Sequence, residues 1–395
     1  MSEQYDHPGG GAQLSGFTLD VVGLGALNLD YIVNASALSG PTRSRPLTTR
    51  ISGLIDRTGP PLEWGTERRV DSHTIHAAIE VVSSARPDTS LGGSAFNAIY
   101  AIAKTQVGLR LGYVGVAGRV SVIGVSSIQQ FEALGIDHRF VLRDDEHVCG
   151  ICFSFSEDGE RTMLTHAGAN EYMADYIDRE FANIVTYLSG ARVIHVTSFL
   201  DSKTAGRMLA VLQAVKMANR GTLICFDPGH VWSVDPTPEI QGIVRVSDYL
   251  LVNYREFREL GECGPDDSND DVATRLLGRF DSARGVVIVK RSTGISSYWR
   301  EGEKVTSDFY AQVPLSVEEV EDATGAGDVF AAGLDFFQGR HGFDRVMVLA
   351  EEGCNFVPQA ADPYIISFPH NGIDRTFYRL AEMIGSQGFG TAEEI

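Results

Sequence analysis

Short runs rich in Val, Ile and aromatic residues alternate with longer amphipathic stretches along most of this chain. The runs are DVVGLGALNLDYIV (20–33), LRLGYVGVAG (109–118), VCGICFSFS (148–156), RTMLTH (161–166), ARVIHVTSF (191–199), GTLICFDPG (221–229), DYLLVN (248–253), GVVIVK (285–290) and GISSYW (294–299). The first is read as one strand unit. Helical stretches are expected at about 95–107, 171–189, 202–220, 269–282, 326–339 and 344–358. This alternation constrains the fold to an α/β class, a mainly parallel sheet covered on both faces. Ligands of such sheets bind at the carboxyl ends of the strands, beside helix N-termini.

Two regions interrupt the pattern. VCGICFSFSEDGERTML reads as a β-hairpin turning at EDGE. Residues 40–69 carry Pro/Gly punctuation, six Arg and three acids, a net +3 within a chain of net charge −19. A stretch this long is a solvated insertion, or else a lid, a dimer contact or an anion-binding arm.

Composition narrows the function. Of 395 residues, 43% are hydrophobic and 22% charged, which excludes a wholly disordered chain. With 33 Lys+Arg against 52 Asp+Glu, broad binding to nucleic acid or to an anionic membrane is not expected. No apolar run approaches the ~18 residues of a membrane span. Residues 1–16 are polar and Gly-rich and are expected to be a disordered leader, with 371–395 a C-terminal segment and tail. Five cysteines in a chain this long point to a reducing, cytoplasmic setting.

Four segments carry candidate chemistry. In Asp322-Ala-Thr-Gly325-Ala326-Gly327-Asp328, small residues let successive N–H groups converge where a helix starts, an anion hole for a phosphate with developing charge. Asp328, one residue further, can take a proton from an attacking hydroxyl. Alone, the segment also reads as a Gly-rich helix cap. Leu91-Gly92-Gly93-Ser94-Ala-Phe-Asn97 opens another helix, with Asn97 one turn in, although Gly-Gly turns before helices are common. Asn253-Tyr-Arg-Glu256 puts an amide and a carboxylate on one helical face, able to hold hydrated Mg²⁺ or simply to begin an exposed helix. Asn28 and Asp30 share one face of the first strand; sugar hydroxyls or neighbouring backbone would satisfy them. Cys149 and Cys152 lack a second CxxC for metal binding, and His195 reads as a core histidine.

In this order the four segments resemble the ribokinase (PfkB) family of carbohydrate and nucleoside kinases, over about residues 17–370. The segment ending ATGAGD looks like the family's second signature and LGGSAFNAIYAIAK like its first; GERTMLTHAGAN and FDPGHVW are similar to sugar-kinase segments. The resemblance implies a Rossmann-like three-layer α/β/α core of ribokinase type. A small β-rich or α+β lid would come from about 31–90 and 148–165. It implies γ-phosphoryl transfer from ATP, with Mg²⁺, to a hydroxyl of a small sugar-like substrate. Asp328 would be the general base, with Gly325, Ala326 and Gly327 the anion hole. Asn28, Asp30, Gly92, Gly93, Asn97 and Thr197 would bind substrate. Asn253, Glu256, Lys290, Gly294 and Asn355 would serve the nucleotide, Glu256 holding Mg²⁺ through water and Asp322 a monovalent cation such as K⁺. A homodimer through the lid follows by analogy.

Three departures matter. Lys290-Arg291-Ser-Thr-Gly294 has Arg where members often have the first glycine of a Gly-x-x-Gly turn, so the nucleotide pocket is reshaped or gains two cations. The strand ending at Thr197 lacks the carboxylate that ribokinase places near its sugar. The stretch from Asp30 to Gly92 is long, and DSHTIHAAIEVVSSARPDTSLGG (71–93) reads as a helix running into the glycines, closer to adenosine kinases. A sugar or sugar-acid kinase therefore stands beside a nucleoside kinase, for which Trp64, Phe96 or Phe199 would face the base. Beside both stands a kinase of anionic substrates, using Arg43, Arg45, Arg50, Arg57, Arg68 and Arg69. A non-catalytic sensor is the reading from another class.

Overall fold

The computed structural model describes residues 17–34, 51, 53, 66–83, 87–104, 108–120, 126–157, 160–291, 293–311, 327–328 and 330–334. Among them run fourteen strands in two sheets.

The larger sheet has the order β14-β13-β12-β11-β10-β9-β1-β5-β6. Its centre is parallel: β12 (Val286–Arg291), β11 (Tyr249–Asn253), β10 (Leu223–Asp227), β9 (Ala191–Thr197), β1 (Leu19–Leu24) and β5 (Leu111–Arg119). The charged strand β6 (Asp137–Val148) pairs parallel to β5 at one edge. At the other edge β13 (Gly294–Glu301) and β14 (Lys304–Ala311) turn antiparallel.

Both faces of this sheet are covered. Val22, Leu24, Ile194, Val196, Phe226 and Val252 pack into one apolar cluster with residues of α4 (Met173–Ser189), α5 (Ser202–Ala218), α6 (Gly229–Val234) and α7 (Pro238–Val246). α8 (Tyr254–Leu260) and α9 (Asn269–Leu277) complete that layer. Val21, Tyr113, Val193, Tyr249 and Ile288 point the other way, to α2 (Ser94–Lys104), α3 (Ser127–Ala133) and Ala331, Ala332 and Leu334. This is the three-layer α/β/α core, and double coverage is why its strands read as continuous apolar runs.

The smaller sheet has the order β3-β8-β7-β2-β4: β3 (Glu67–Arg69), β8 (Glu160–His166), β7 (Gly150–Glu157), β2 (Asn28–Asn34) and β4 (Asp88–Gly92). β7 and β8 form the expected antiparallel hairpin. One face, with Val33, Ile151, Phe153, Phe155 and Leu164, packs on Ile75, Ala78 and Val82 of α1 (Ser72–Val82), so this part is α+β. Period-two alternation sends Asn28, Asp30, Cys152, Thr165 and Glu67 to the opposite face.

Two local expectations are corrected. DVVGLGALNLDYIV is two strands, not one: β1 ends at Leu24 in the large sheet and β2 starts at Asn28 in the small one. The apolar content is continuous, but Gly25-Ala26-Leu27 carries the chain between sheets. The helix within 71–93 stops at Val82, and strand β4 runs into the glycines. The stretch before those glycines pairs antiparallel with β2, so sheet pairing overrode local helix preference.

Candidate active site

Parallel strands end together, so their last residues line one edge. Thr197 of β9 is in register with Asp227 of β10, and Asn253 of β11 with Lys290 of β12. Four of the central parallel strands thus finish on polar side chains, whereas their interiors are mainly apolar and buried. Between this edge and the polar face of the small sheet lies a cleft of about 580 Å³, counting its open mouth. It is lined by Asn28, Glu67, Gly93, Ser94, Thr165, Asn170, Thr197, Asp201 and Asp227, among others.

The chain enters the cleft at α2. Gly93 has φ of +107°, a conformation that side chains disfavour, and its carbonyl accepts the Asn97 N–H at 2.8 Å. A β-carbon on Gly92 would collide with the Asp30 carboxylate, so the glycine lets β2 and β4 close around a buried acid. These positions bring Asn97 into the site. Its Nδ2 donates to Asp328 Oδ2 at 2.8 Å, joining residues 231 positions apart.

Asp328 sits at the start of the helical residues 327–328 and 330–334. Burial pushes its carboxyl above the ordinary aspartate range; the Asn97 hydrogen bond opposes that, the Asp227 charge adds to it and the Lys290 charge opposes it. Lys290 donates from Nζ to Asp227 Oδ2 at 2.8 Å. Burial works to neutralise this ammonium, but the carboxylates of Asp227, Glu256 and Asp328 outweigh it and its pKa rises. A β-carbon on Gly327 would lie 3.4 Å from Lys290 Nζ, so the glycine sits beside a held cation.

Asn253 and Glu256 are brought together by a capping box. Asn253 Oδ1 accepts from the Glu256 N–H at 2.9 Å, and Glu256 Oε2 accepts from the Asn253 N–H at 2.8 Å. Glu256 is nevertheless buried beside other charges. Burial, with Asp227 adding to it, pushes its pKa up to about 7, Lys290 opposing. Among the described residues no group of three or more His, Cys, Asp or Glu could hold a metal unaided. The donors near Lys290 are carboxylate oxygens. That fits Mg²⁺, which takes one or two carboxylates plus phosphate oxygens and keeps several waters.

Other expected residues are placed differently. Gly294 stands at the β12–β13 corner, paired with Arg291. The Arg291 guanidinium lies over the Tyr254 ring, 4.2 Å from its centroid, while Lys290 turns toward Asp227. The two cations therefore leave β12 on different sides. Phe96 packs among Tyr100, Tyr113 and Phe131, and Phe199 is buried in the other apolar cluster; neither faces the cleft. Arg69 is held by Glu171 at 2.6 Å and by the Leu200 carbonyl at 2.9 Å. Burial raises the Cys149 thiol to about 11 and also pushes the Cys152 thiol well up, so both are poor nucleophiles. Asp322, Gly325, Ala326, Asn355, Trp64, Arg43, Arg45, Arg50 and Arg57 lie outside the described residues.

The polar residues of the cleft that the sequence reading left out include Asp227, Asn170 and Glu67. Asp227 holds Lys290. Asn170 clamps the crossing between sheets, bonding both the N–H and carbonyl of Leu27 and the Asn28 side chain, each at 3.1 Å. Glu67 lines the cleft from β3, accepting the Thr165 hydroxyl at 2.7 Å. Asp227 ends a β-run and Asn170 ends THAGAN, so both stood in segments already singled out.

The chain is similar to several known kinases. The sequence pattern of the pfkB family carbohydrate kinases matches residues 67–334. An uncharacterized sugar kinase of Archaeoglobus fulgidus is 25% identical over 58% of this chain and 83% of its own. A 2-dehydro-3-deoxygluconokinase of Haemophilus influenzae is 24% identical over 62% and 78%. A nucleoside kinase of Methanothermobacter thermautotrophicus is 25% identical over 62% and 70%. Among solved structures, adenosine kinase from Schistosoma mansoni with 2-fluoroadenosine superposes with TM-score 0.67 at 18% identity, over 90% of this chain and 99% of that one. A probable sugar kinase from Rhizobium etli gives 0.65 at 19%, over 93% and 99%. With its three-layer core and a family match across more than half its length, the chain belongs to the pfkB family and is an ATP-dependent kinase of the carbohydrate and nucleoside type.

Proposed function

We propose that this enzyme transfers the γ-phosphoryl group of ATP to a hydroxyl of a small sugar or sugar-like acceptor, with Asp328 as general base. The observation that carries this reading is the Asn97–Asp328 contact at the carboxyl edge of the sheet, with Gly327 beside Lys290. Asn97 orients the Asp328 carboxylate, and Asp328 receives the acceptor hydroxyl proton as that oxygen attacks phosphorus. The backbone of Gly325, Ala326 and Gly327 and the Lys290 ammonium offset charge gathering on the transferred group. Asn28, Asp30, Gly92, Gly93 and Thr197 hold the acceptor, and the small sheet acts as the lid that excludes water from it.

Mg²⁺ fits best beside Glu256 and Asp227 and would neutralise phosphate charge there when bound. A monovalent cation near Asp322 and nucleotide contacts from Asn253, Gly294 and Asn355 belong to the same proposal, as does a homodimer through the lid. A nucleoside acceptor is the second reading, favoured by helix α1 on the small sheet. The burial of Phe96 and Phe199 removes the two described aromatics first considered for a base.

The test is ADP release with ATP and Mg²⁺ across sugars, sugar acids, nucleosides and sugar phosphates. Acceptor-dependent release in at least one class supports the reading. Ligand-induced thermal stabilisation with no release in any class moves it to a non-catalytic sensor.

A further inference from the structure

We propose that the acceptor cleft selects an uncharged, hydroxyl-rich acceptor over sugar acids and sugar phosphates, with Glu67 the specificity-determining residue; this rests on the kinase reading above. Among the described lining residues the charged groups are Glu67, Asp201 and Asp227, all acidic, and no Lys, Arg or His lines the cleft. Three described cations stand nearby: Lys290 is engaged with Asp227, Arg69 with Glu171 and the Leu200 carbonyl, and Arg161 of β8 turns Nη2 to the Met163 sulfur.

The three acids differ in what they already do. Asp201 caps α5, accepting the Thr204 N–H at 2.7 Å and its hydroxyl at 2.9 Å. Asp227 holds Lys290. Among the described residues Glu67 takes only the Thr165 hydroxyl; burial raises its pKa, while that hydrogen bond and the charge of Arg161, whose Nη2 points to the Met163 sulfur at 3.1 Å, favour the carboxylate. Glu67 therefore faces the cleft with no ion-pair partner among the described residues. A carboxylate accepts from substrate hydroxyls, whereas a substrate carboxylate or phosphate would meet it as a like charge in a partly dehydrated space. Uncompensated like charges are how a site rejects one ligand class while accepting another.

The test is binding without ATP, by calorimetry, of four probe pairs: D-fructose and D-fructose 6-phosphate, D-ribose and D-ribose 5-phosphate, D-glucose and D-gluconate, adenosine and AMP. The wild type should bind at least one neutral probe about tenfold or more tightly than its anionic partner. Glu67→Gln, which keeps shape and removes charge, should erase most of that preference. Glu67→Asp keeps the charge on a shorter side chain and should retain the preference, which separates loss of charge from loss of packing. Equal or tighter binding of the anionic probes by the wild type, no neutral probe bound at millimolar concentration, or an unchanged preference in Glu67→Gln overturns the proposal. ADP release is measured on the same panel. Preference without release overturns the kinase reading alone; release with a favoured sugar acid or sugar phosphate overturns the charge proposal alone.

Discussion

The central strands of the large sheet bury side chains on both faces, Val193 and Tyr249 into one layer and Ile194 and Phe226 into the other. The small sheet buries only the face of Phe153, Phe155 and Leu164 and turns Asn28, Thr165 and Glu67 to the cleft. A sheet covered on both sides has only its strand ends left for chemistry, so Thr197, Asp227, Asn253 and Lys290 sit at carboxyl termini. A sheet covered on one side offers a polar row along its whole length. The two halves of the site are thus built by different rules. The core contributes a line of end residues, fixed by register; the small sheet contributes alternating residues, fixed by the pleat.

The difference can be broken from the core side first. Phe226→Ala, in the doubly covered sheet, should cost about 3–5 kcal/mol, read from the urea midpoint. Phe153→Ala should cost a similar amount, but hydrogen exchange should rise in the small sheet first, leaving the parallel strands protected. Equal loss of protection in both sheets would show that they unfold as one unit. Lys290→Met should come next. It strands Asp227 beside Glu256 and Asp328, costing about 2–3 kcal/mol of stability and about a hundredfold in kcat. A wild-type kcat would remove Lys290 from the site.

Asn97→Ala is a smaller change. Removing one hydrogen bond to a carboxylate costs about 1.5 kcal/mol, near tenfold in kcat. The Asn97 bond favours the ionised form of Asp328, so its loss should move the acidic limb of the pH–rate profile upward. A limb that stays or moves down would argue against Asp328 as the ionising group. The smallest effect is expected from Glu256→Gln. Glu256 holds its proton in the fold up to about pH 7, while the unfolded chain releases it near 4.5. The native state therefore binds more protons in that window, and its stability falls as pH rises from about 4.5 to about 7. Urea midpoints in the variant should decline less across the window; an unchanged slope would assign the decline elsewhere.

The same contrast explains what could be read from the sequence. Continuous apolar runs mark doubly covered strands, so β5, β9, β10, β11 and β12 were legible. The strands that pattern reading passed over, β6, β14, β3 and β4, are the four sheet edges. DHRFVLRDDEHV in β6 and KVTSDFYA in β14 carry the charges that keep edges from pairing further, and those charges hide them as strands. The β1–β2 crossing was hidden for the opposite reason, since apolar residues continue across it. Asn97 and Asp328 stood out as motif residues, but their contact spans 231 positions and needs the fold. Lys290 was visible and its partner Asp227 was not assigned, because pairing across β11 depends on strand order. Glu67 sits in a three-residue edge strand that no local pattern marks.

The central claim is that Asp328 accepts the acceptor proton. Its most direct test is the single-turnover rate of phosphoryl transfer, at saturating ATP and acceptor, in the wild type and in Asp328→Asn. The rate should fall by about two to four orders of magnitude in the variant, with the ATP dissociation constant unchanged. A rate within a few-fold of wild type would contradict the assignment and leave Asp328 as a helix cap held by Asn97.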